Sequence, residues 1–393
     1  MHADLDTLVT ALYVMVDDLL GPRRGPGRKP KLSDAELVCL AVAQVLLGCG
    51  SERRWLRFAS RRLGQLFPYL PTPSAYNRRL RRAAPLVALA IQDLAAHTPS
   101  FGDQLRLVDS TPVPCAASRE TVRRSALAGH AGYGYCKSHH RFFWGFRLYV
   151  LAAPDGLPVA WCLATPKLGE REVVAAMLDH ERTRLRPGLV ILADKGFAGQ
   201  AFEQLVAAHG AALLRPDRAD EPHRHGSLGR WRQWIESTFD TLKDQLGLER
   251  HGGRTLPGVV VRVGQRLLAL AATIWWNWQI GAPDKRSLVA YDHRRPIRPI
   301  GSNHLVVIGL LTAQRQRRRR ITPNTNTSTT TMISTHNHVD MAASLVGAGA
   351  VQTDATAAHP SKQLGHGHPG YGRPRLPEWP PLPNAPATQH RPG

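Results

Sequence analysis

Apolar residues recur at helical spacing through the first hundred positions, and the period shortens to that of strands from Leu105 onward. Residues 5–20 alternate apolar and acidic positions on a helical period and stop at Gly21-Pro22. A basic, Gly- and Pro-rich linker runs from Arg23 to Lys31. Ser33-Asp34-Ala35-Glu36 is a capping box and predicts a strongly apolar helix to about Leu47. A second amphipathic helix is expected over 53–66. A turn at Pro68–Pro73 then leads into Ser74-Ala75-Tyr76-Asn77-Arg78-Arg79-Leu80-Arg81-Arg82. This last pair reads as helix-turn-helix-like. Arg78, Arg79, Arg81 and Arg82 are candidates to meet DNA phosphates and groove edges, and a solvated basic face is the ordinary alternative.

Strands are predicted at Leu105–Val108, Phe142–Ala153 and Leu157–Ala164, with the turn Pro154-Asp155-Gly156 joining the last two. Helix follows over Glu170–Leu185, strand over Leu189–Ala193, helix over Gln200–His209 and strand over Ala211–Leu214. A long helix covers Arg230–Leu246, and Leu256–Ile280 supplies one or two more. The order β, β, β, α, β, α, β, α predicts an α/β fold: a ribonuclease-H-like mixed sheet flanked by helices. Three regions are expected: a helical DNA-binding region over 1–102, a catalytic domain over 103–282, and a basic extension over 283–393. That extension carries Arg317-Arg318-Arg319-Arg320, Thr/Asn/Ser runs and His/Gly/Pro-rich sequence, and its composition predicts disorder. The arginine run would add salt-sensitive, non-specific DNA affinity.

Charge sharpens this picture. The chain has 393 residues and a formal net charge of +21. The basic excess appears in the N-terminal, middle and C-terminal thirds alike, which points to an anionic partner such as nucleic acid. Of the 51 basic residues 43 are Arg, so a G+C-rich genome is a second source of that excess. Cys39, Cys49, Cys115, Cys136 and Cys162 form no C-x-x-C pair, which argues against zinc ribbons and fits a reducing cytoplasm. Met1-His2-Ala3-Asp4 lacks the basic start of a signal peptide, and the apolar stretch Leu267–Trp276 is short for a membrane span. No membrane or small-molecule partner is expected.

Three acids stand out. Asp109 and Asp194 follow β-runs, where α/β sheets open their functional crevice. Glu236 sits in the helix over 230–246. At ~100° per residue, Arg232, Glu236 and Lys243 fall within about a 40° arc, and Trp231, Ile235, Leu242 and Leu246 make a separate apolar stripe. Carboxylates suit hard Mg²⁺, and two such ions ~3.5–4 Å apart support in-line displacement at phosphorus. Each acid also has an ordinary reading. Asp109 caps the turn before Ser110-Thr111-Pro112, Asp194 steadies the turn into Gly196, and Glu236 pairs with Arg232 along the helix.

The motifs Leu107-Val108-Asp109-Ser110-Thr111-Pro112-Val113 and Leu192-Ala193-Asp194-Lys195-Gly196-Phe197 resemble those of the DDE transposases of bacterial insertion sequences, in the style of the insertion-sequence 982 type. Arg232, Glu236 and Lys243 match the last three positions of the family signature Y-x2-R-x3-E-x6-K, and Gly229 stands where the family has Tyr. Tyr133-Gly134-Tyr135-Cys136 and Phe143-Trp144-Gly145-Phe146-Arg147-Leu148 are similar too, and the likeness spans roughly residues 5–293.

The resemblance implies that Asp109, Asp194 and Glu236 are catalytic and hold two Mg²⁺ ions, with Mn²⁺ as a substitute. It implies strand hydrolysis at terminal inverted repeats, followed by attack of the freed 3′-OH on target DNA. The partners would be double-stranded DNA and further copies of the chain, in the bacterial cytoplasm. Read from their own positions, Arg232, Lys243 and Lys195 would line the DNA, Arg147 either faces the DNA or is a surface charge, and Lys137, His139, His140 and Arg141 would approach phosphate. A non-catalytic, transposase-derived repressor and a stand-alone nuclease of the same fold are the alternatives. His139-His140 and His223-x-His225 have no Cys or acidic partner at zinc-ligand spacing. Trp275-Trp276-Asn277-Trp278 reads as core packing rather than base stacking.

Overall fold

The computed structural model describes residues 4–22, 30–136, 140–222 and 228–291, all within one compact unit. Most of the Arg23–Lys31 linker, Lys137, His139, His223, His225 and the extension from residue 292 onward lie outside the described residues.

Helix α1 (Leu5–Leu20) starts where the Asp4 side chain accepts the Thr7 amide at 2.8 Å. Helix α2 (Asp34–Leu46) starts at the capping box, with Ser33 and Glu36 each accepting the other's backbone N–H. Helices α3 (Glu52–Arg62), α4 (Pro73–Arg82) and α5 (Ala84–Ala96) follow. Helix α10 (Leu256–Gln279) packs against α5, α2, α1 and α4, and every residue from Gly258 to Asn277 is buried. An apolar surface on all sides of a helix demands neighbours on all sides. By length and composition α10 passes as a membrane span, a test that buried core helices also pass.

One hydrophobic core therefore runs from Leu5 through the sheet to Tyr291. The boundary expected at 102/103 cuts this core rather than separating two bodies. The boundary at 282/283 also moves. Asn277 donates to the carbonyls of Lys285 and Ser287 at 2.9 and 3.0 Å, and buried Tyr291 donates its hydroxyl to Asn277 Oδ1 at 2.6 Å. Residues 283–291 belong to the packed unit.

The sheet contains β1 (Leu105–Ala116), β2 (Gly132–Cys136), β3 (Arg141–Ala152), β4 (Pro158–Ala164), β5 (Leu189–Leu192) and β6 (Ala211–Leu214). Its order is β6-β5-β1-β3, and the far edge of β3 carries β2 against residues 141–145 and β4 against 147–152. The β1–β5 and β5–β6 pairs are parallel, and β3 runs antiparallel to β1, β2 and β4. Helices α7 (Glu170–His180) and α8 (Gln200–Ala208) cover one face around Val108, Tyr149 and Ile191. The other face meets α9 (Gly229–Asp240), α10 and the N-terminal helices. A short helix α6 (Arg119–Arg123) follows β1.

Strand β1 is longer than the pattern predicted. The pattern ends it at Val108, before Pro112 and Pro114, and its pairing with β5 does end at Leu107. Beyond that point β1 has a free edge on one side, where a residue without N–H is tolerated. Close approach fixes Gly145 on β3, where a Cβ would overlap the Val113 carbonyl oxygen of β1.

Candidate active site

Register places the first two acids together. Leu107 of β1 pairs with Leu192 of β5 in parallel, so Asp109 and Asp194 each stand two residues past the last paired position. Strand alternation turns both toward the α9 side of the sheet, because side chains two apart share a face. Asp109 is not at a strand end, since β1 continues to Ala116, but it lies two residues beyond the point where β1 and β5 part. Its Oδ1 accepts the Ser110 amide at 2.7 Å. Asp194 Oδ1 accepts the Lys195 amide at 2.6 Å and caps the short 3₁₀ turn Lys195–Phe197. The turn-capping reading of Asp194 therefore describes a real contact.

Helix α9 supplies the third acid through an arginine. Arg232 Nη1 lies 3.3 Å from Asp194 Oδ1, and its Nη2 lies 3.6 Å from Glu236 Oε1. Ile235 is buried and Trp231 packs against the core, which fixes the rotation of α9. Glu236 is exposed and faces the crevice by way of Arg232. Among the described residues, no three His, Cys, Asp or Glu side chains stand grouped as a ready-made metal site.

A fourth carboxylate was missed in the sequence. Glu170 begins α7 and reaches the same sheet edge from the opposite face. Its Oε1 accepts from Arg147 Nη1 at 2.6 Å and from the Ser110 hydroxyl at 3.3 Å. Arg147 also donates to Ser110 Oγ at 3.0 Å and to the Tyr135 carbonyl at 3.0 Å. Its guanidinium is thus occupied inside the protein, which departs from the expectation of an arginine lying along DNA. The Leu168-Gly169-Glu170 turn before a helix was the available signal, but an acid in a first helical turn is common for dipole reasons alone.

Burial pushes the Asp109 carboxyl up to about 6, and repulsion from Asp194 and Glu170 adds to it, while the Ser110 amide and Arg232 pull the other way. Burial first, and then Glu170, also push up the Tyr149 hydroxyl. That hydroxyl is buried without a hydrogen-bond partner, on the strand position opposite Ser110. The donor set is made of hard oxygens, the kind that divalent cations take, and such a cation would offset their mutual repulsion.

The remaining basic candidates divide. Lys195 is exposed beside Asp194. The row drawn on an ideal helix reaches Lys243 only inside a π turn over Thr241–Gln245, with the Leu246 amide bonded to the Thr241 carbonyl at 3.1 Å. A π turn rotates the following residues relative to an α-helix. Arg78, Arg81 and Arg82 of α4 are exposed, but Arg79 is not free. It holds Asp34 at 2.6 Å and the Leu32 carbonyl at 2.8 Å, tying α4 to the start of α2. The connection between α3 and α4 spans residues 63–72, longer than the three or four residues of a usual helix-turn-helix. Trp275 and Trp276 are buried in the core.

Residues 100–272, the sheet together with α7 to α9 and most of α10, match the family model of the transposase DDE domain. Among solved structures, a piggyBac transposase in a synaptic complex with hairpin DNA is matched. That likeness has 9% identity and a TM-score of 0.39, and covers 89% of this chain and 84% of that one. No curated protein matches the chain.

Proposed function

We propose that the protein is a metal-dependent DNA transposase of the insertion-sequence 982 type, with Asp109, Asp194 and Glu236 as its catalytic acids. The observation that carries this reading is the in-register pair Asp109 and Asp194, joined through Arg232 to Glu236, inside a stretch similar to a transposase DDE domain. The strand order, with an antiparallel β4-β3-β1 half and a parallel β1-β5-β6 half, supports a ribonuclease-H-like catalytic fold.

In this reading Asp109, Asp194 and Glu236 hold two Mg²⁺ ions, or Mn²⁺. When bound, these ions activate the attacking oxygen and stabilise the leaving one. Arg232 orients Asp194 and Glu236 toward each other. Arg147 and Ser110 hold Glu170 at the edge of the site. Lys195 and Lys243, with Arg78, Arg81 and Arg82 on α4, contact the DNA backbone. The chain works as a dimer or higher oligomer on its element ends, in the bacterial cytoplasm.

One assay tests this. The protein is incubated with labelled element ends, a target plasmid and Mg²⁺. Nicked ends plus joined products are expected, and both should vanish in Asp194→Ala while end binding persists. Nicking without joining would indicate a nuclease. Binding with neither product, unchanged in Asp194→Ala, would leave a DNA-binding protein and remove the catalytic reading.

A further inference from the structure

Away from the acids, α10 carries a buried charge that the transposition chemistry does not use. Arg262 and Arg266 lie one helical turn apart and are 8% and 7% exposed. Arg262 is compensated: its guanidinium pairs with Glu52 and bonds Gln265 Oε1 at 3.1 Å. Arg266 is not. Its Nε donates to the Gly247 carbonyl at 3.0 Å and its Nη1 to the Arg262 carbonyl at 2.8 Å. Among the described residues it has no carboxylate partner, and no bond to its Nη2 is formed. An ionised group this deep without a counter-charge costs several kcal/mol unless something neutralises it.

Arg266 lines a cavity of about 270 Å³. Arg250 and Arg262 line it too, and exposed Asp244 is the one acid on its wall among the described residues. Gly48, Gly50 and Gly247 form part of the remaining wall, leaving backbone rather than side chains around the charge. Liquid water occupies ~30 Å³ per molecule, so a phosphate group with several waters fits. A second cavity of about 370 Å³ shares Gly50 and Arg262 with the first and adds Arg81 of α4 and Arg254. Sharing that wall, the two make a cleft between α2, α4, α10 and the segment that follows α9, with Asp244 and the Arg262 partner Glu52 as its acids among the described residues. His251 ties that segment to β1 by a 3.1 Å contact between its Nε2 and the Pro114 carbonyl. Pro114 is five residues beyond Asp109, about 17 Å along a strand.

We infer that this cleft binds a phosphoryl anion, held by Arg266 and Arg250 beside the buried Arg262. Guanidinium matches phosphate oxygens in pairs, and a low-dielectric wall strengthens the contact. Two sources share this chemistry: a backbone phosphate of bound DNA, and free phosphate. The site itself stands on the buried charge. Only its assignment to DNA rests on the transposase reading.

The test reads stability and binding rather than transposition. Full-length protein is melted in sodium phosphate and in sodium chloride of equal ionic strength. Phosphate should raise the wild-type Tm by about 2 °C more than chloride. The excess should fall by at least half in Arg250→Ala, an exposed position, and disappear in Arg266→Met. No excess in the wild type, or an equal excess in the folded variants, overturns the site. If Arg266→Met does not fold, Arg250→Ala alone decides. A short DNA duplex then separates the sources. Loss of the phosphate effect on adding duplex, with a salt slope of DNA binding shallower by about 1 in Arg250→Ala, identifies a backbone phosphate. A phosphate effect that survives saturating duplex identifies free phosphate.

Discussion

Replacing Asp109 by Asn should stabilise the metal-free protein at alkaline pH while abolishing strand cleavage. Asn keeps an oxygen for the Ser110 amide, now at 2.7 Å from Asp109 Oδ1, and removes only the charge. Burial, aided by Asp194 and Glu170, holds the Asp109 carboxyl at about 6 against an ordinary 3.8. At 1.36 kcal/mol per decade, ionising it in the folded protein costs about 3 kcal/mol at most. The sign follows from proton binding. Between the two values the folded state holds the proton more tightly, so the wild type loses stability as pH rises from about 4 through about 6. Below that window Asp109 is protonated in both states, and charge removal gains nothing. At pH 8 the variant should melt higher by about 2–6 °C, allowing for partial relaxation of the site. The assay is thermal unfolding of both proteins from pH 4 to pH 8 without divalent ions, repeated with Mg²⁺. Mg²⁺ should close the gap by raising the wild type alone. A variant that is no more stable at pH 8, or a gap independent of pH, would refute the claim that burial raises the Asp109 carboxyl.

Three further outcomes follow from the packing. Arg147→Met should cost about 1 kcal/mol near neutral pH, the scale of a partly exposed pair, by leaving Glu170 beside Asp109 without its cation; Glu170→Gln in the same chain should recover most of it, and strictly additive unfolding energies would contradict the pairing. Gly145→Ala should destabilise by about 2 kcal/mol or more, because its Cβ collides with the Val113 backbone in a paired strand; a wild-type Tm would show that β1 and β3 can separate there. Truncation after residue 282 should lower the melting temperature by stripping Tyr291 and the carbonyls that Asn277 holds; a melting temperature equal to that of a chain cut after residue 291 would place 283–291 outside the fold.

What the sequence revealed depended on how local the responsible force is. Capping and periodicity act within a few residues, so α1, α2, α7, α8 and α10 could be read directly, as could the β5 and β6 runs. Helix α5 escaped notice because Ala84–Ala96 is apolar nearly all round, which carries no clear helical stripe. Strand β2 escaped because Gly132-Tyr133-Gly134-Tyr135 has two glycines, a composition that weakens a strand pattern. In the structure Gly132 and Gly134 face Thr165, Phe143 and Pro166 closely enough that side chains would collide. That constraint comes from distant neighbours, as does the continuous core that merges the expected first two regions.

The site shows the same limit in finer detail. A wheel of ~100° per residue placed Arg232 and Glu236 on one face of α9, and one guanidinium does reach both Glu236 and Asp194. The wheel stops being valid five residues past Glu236, where the π turn Thr241–Gln245 begins. Up to there the apolar residue Ile235 seats the helix on the sheet; beyond it, Leu242 and Leu246 must still be buried, and both are. The turn lies between two packed segments: Ile235 and Phe239 seat α9 before it, and Leu248 and His251 pack under β1 after it. Lys243 lies inside the turn, so the ideal wheel that aligns it with Arg232 and Glu236 applies to the helix before Thr241 and not to Lys243 itself.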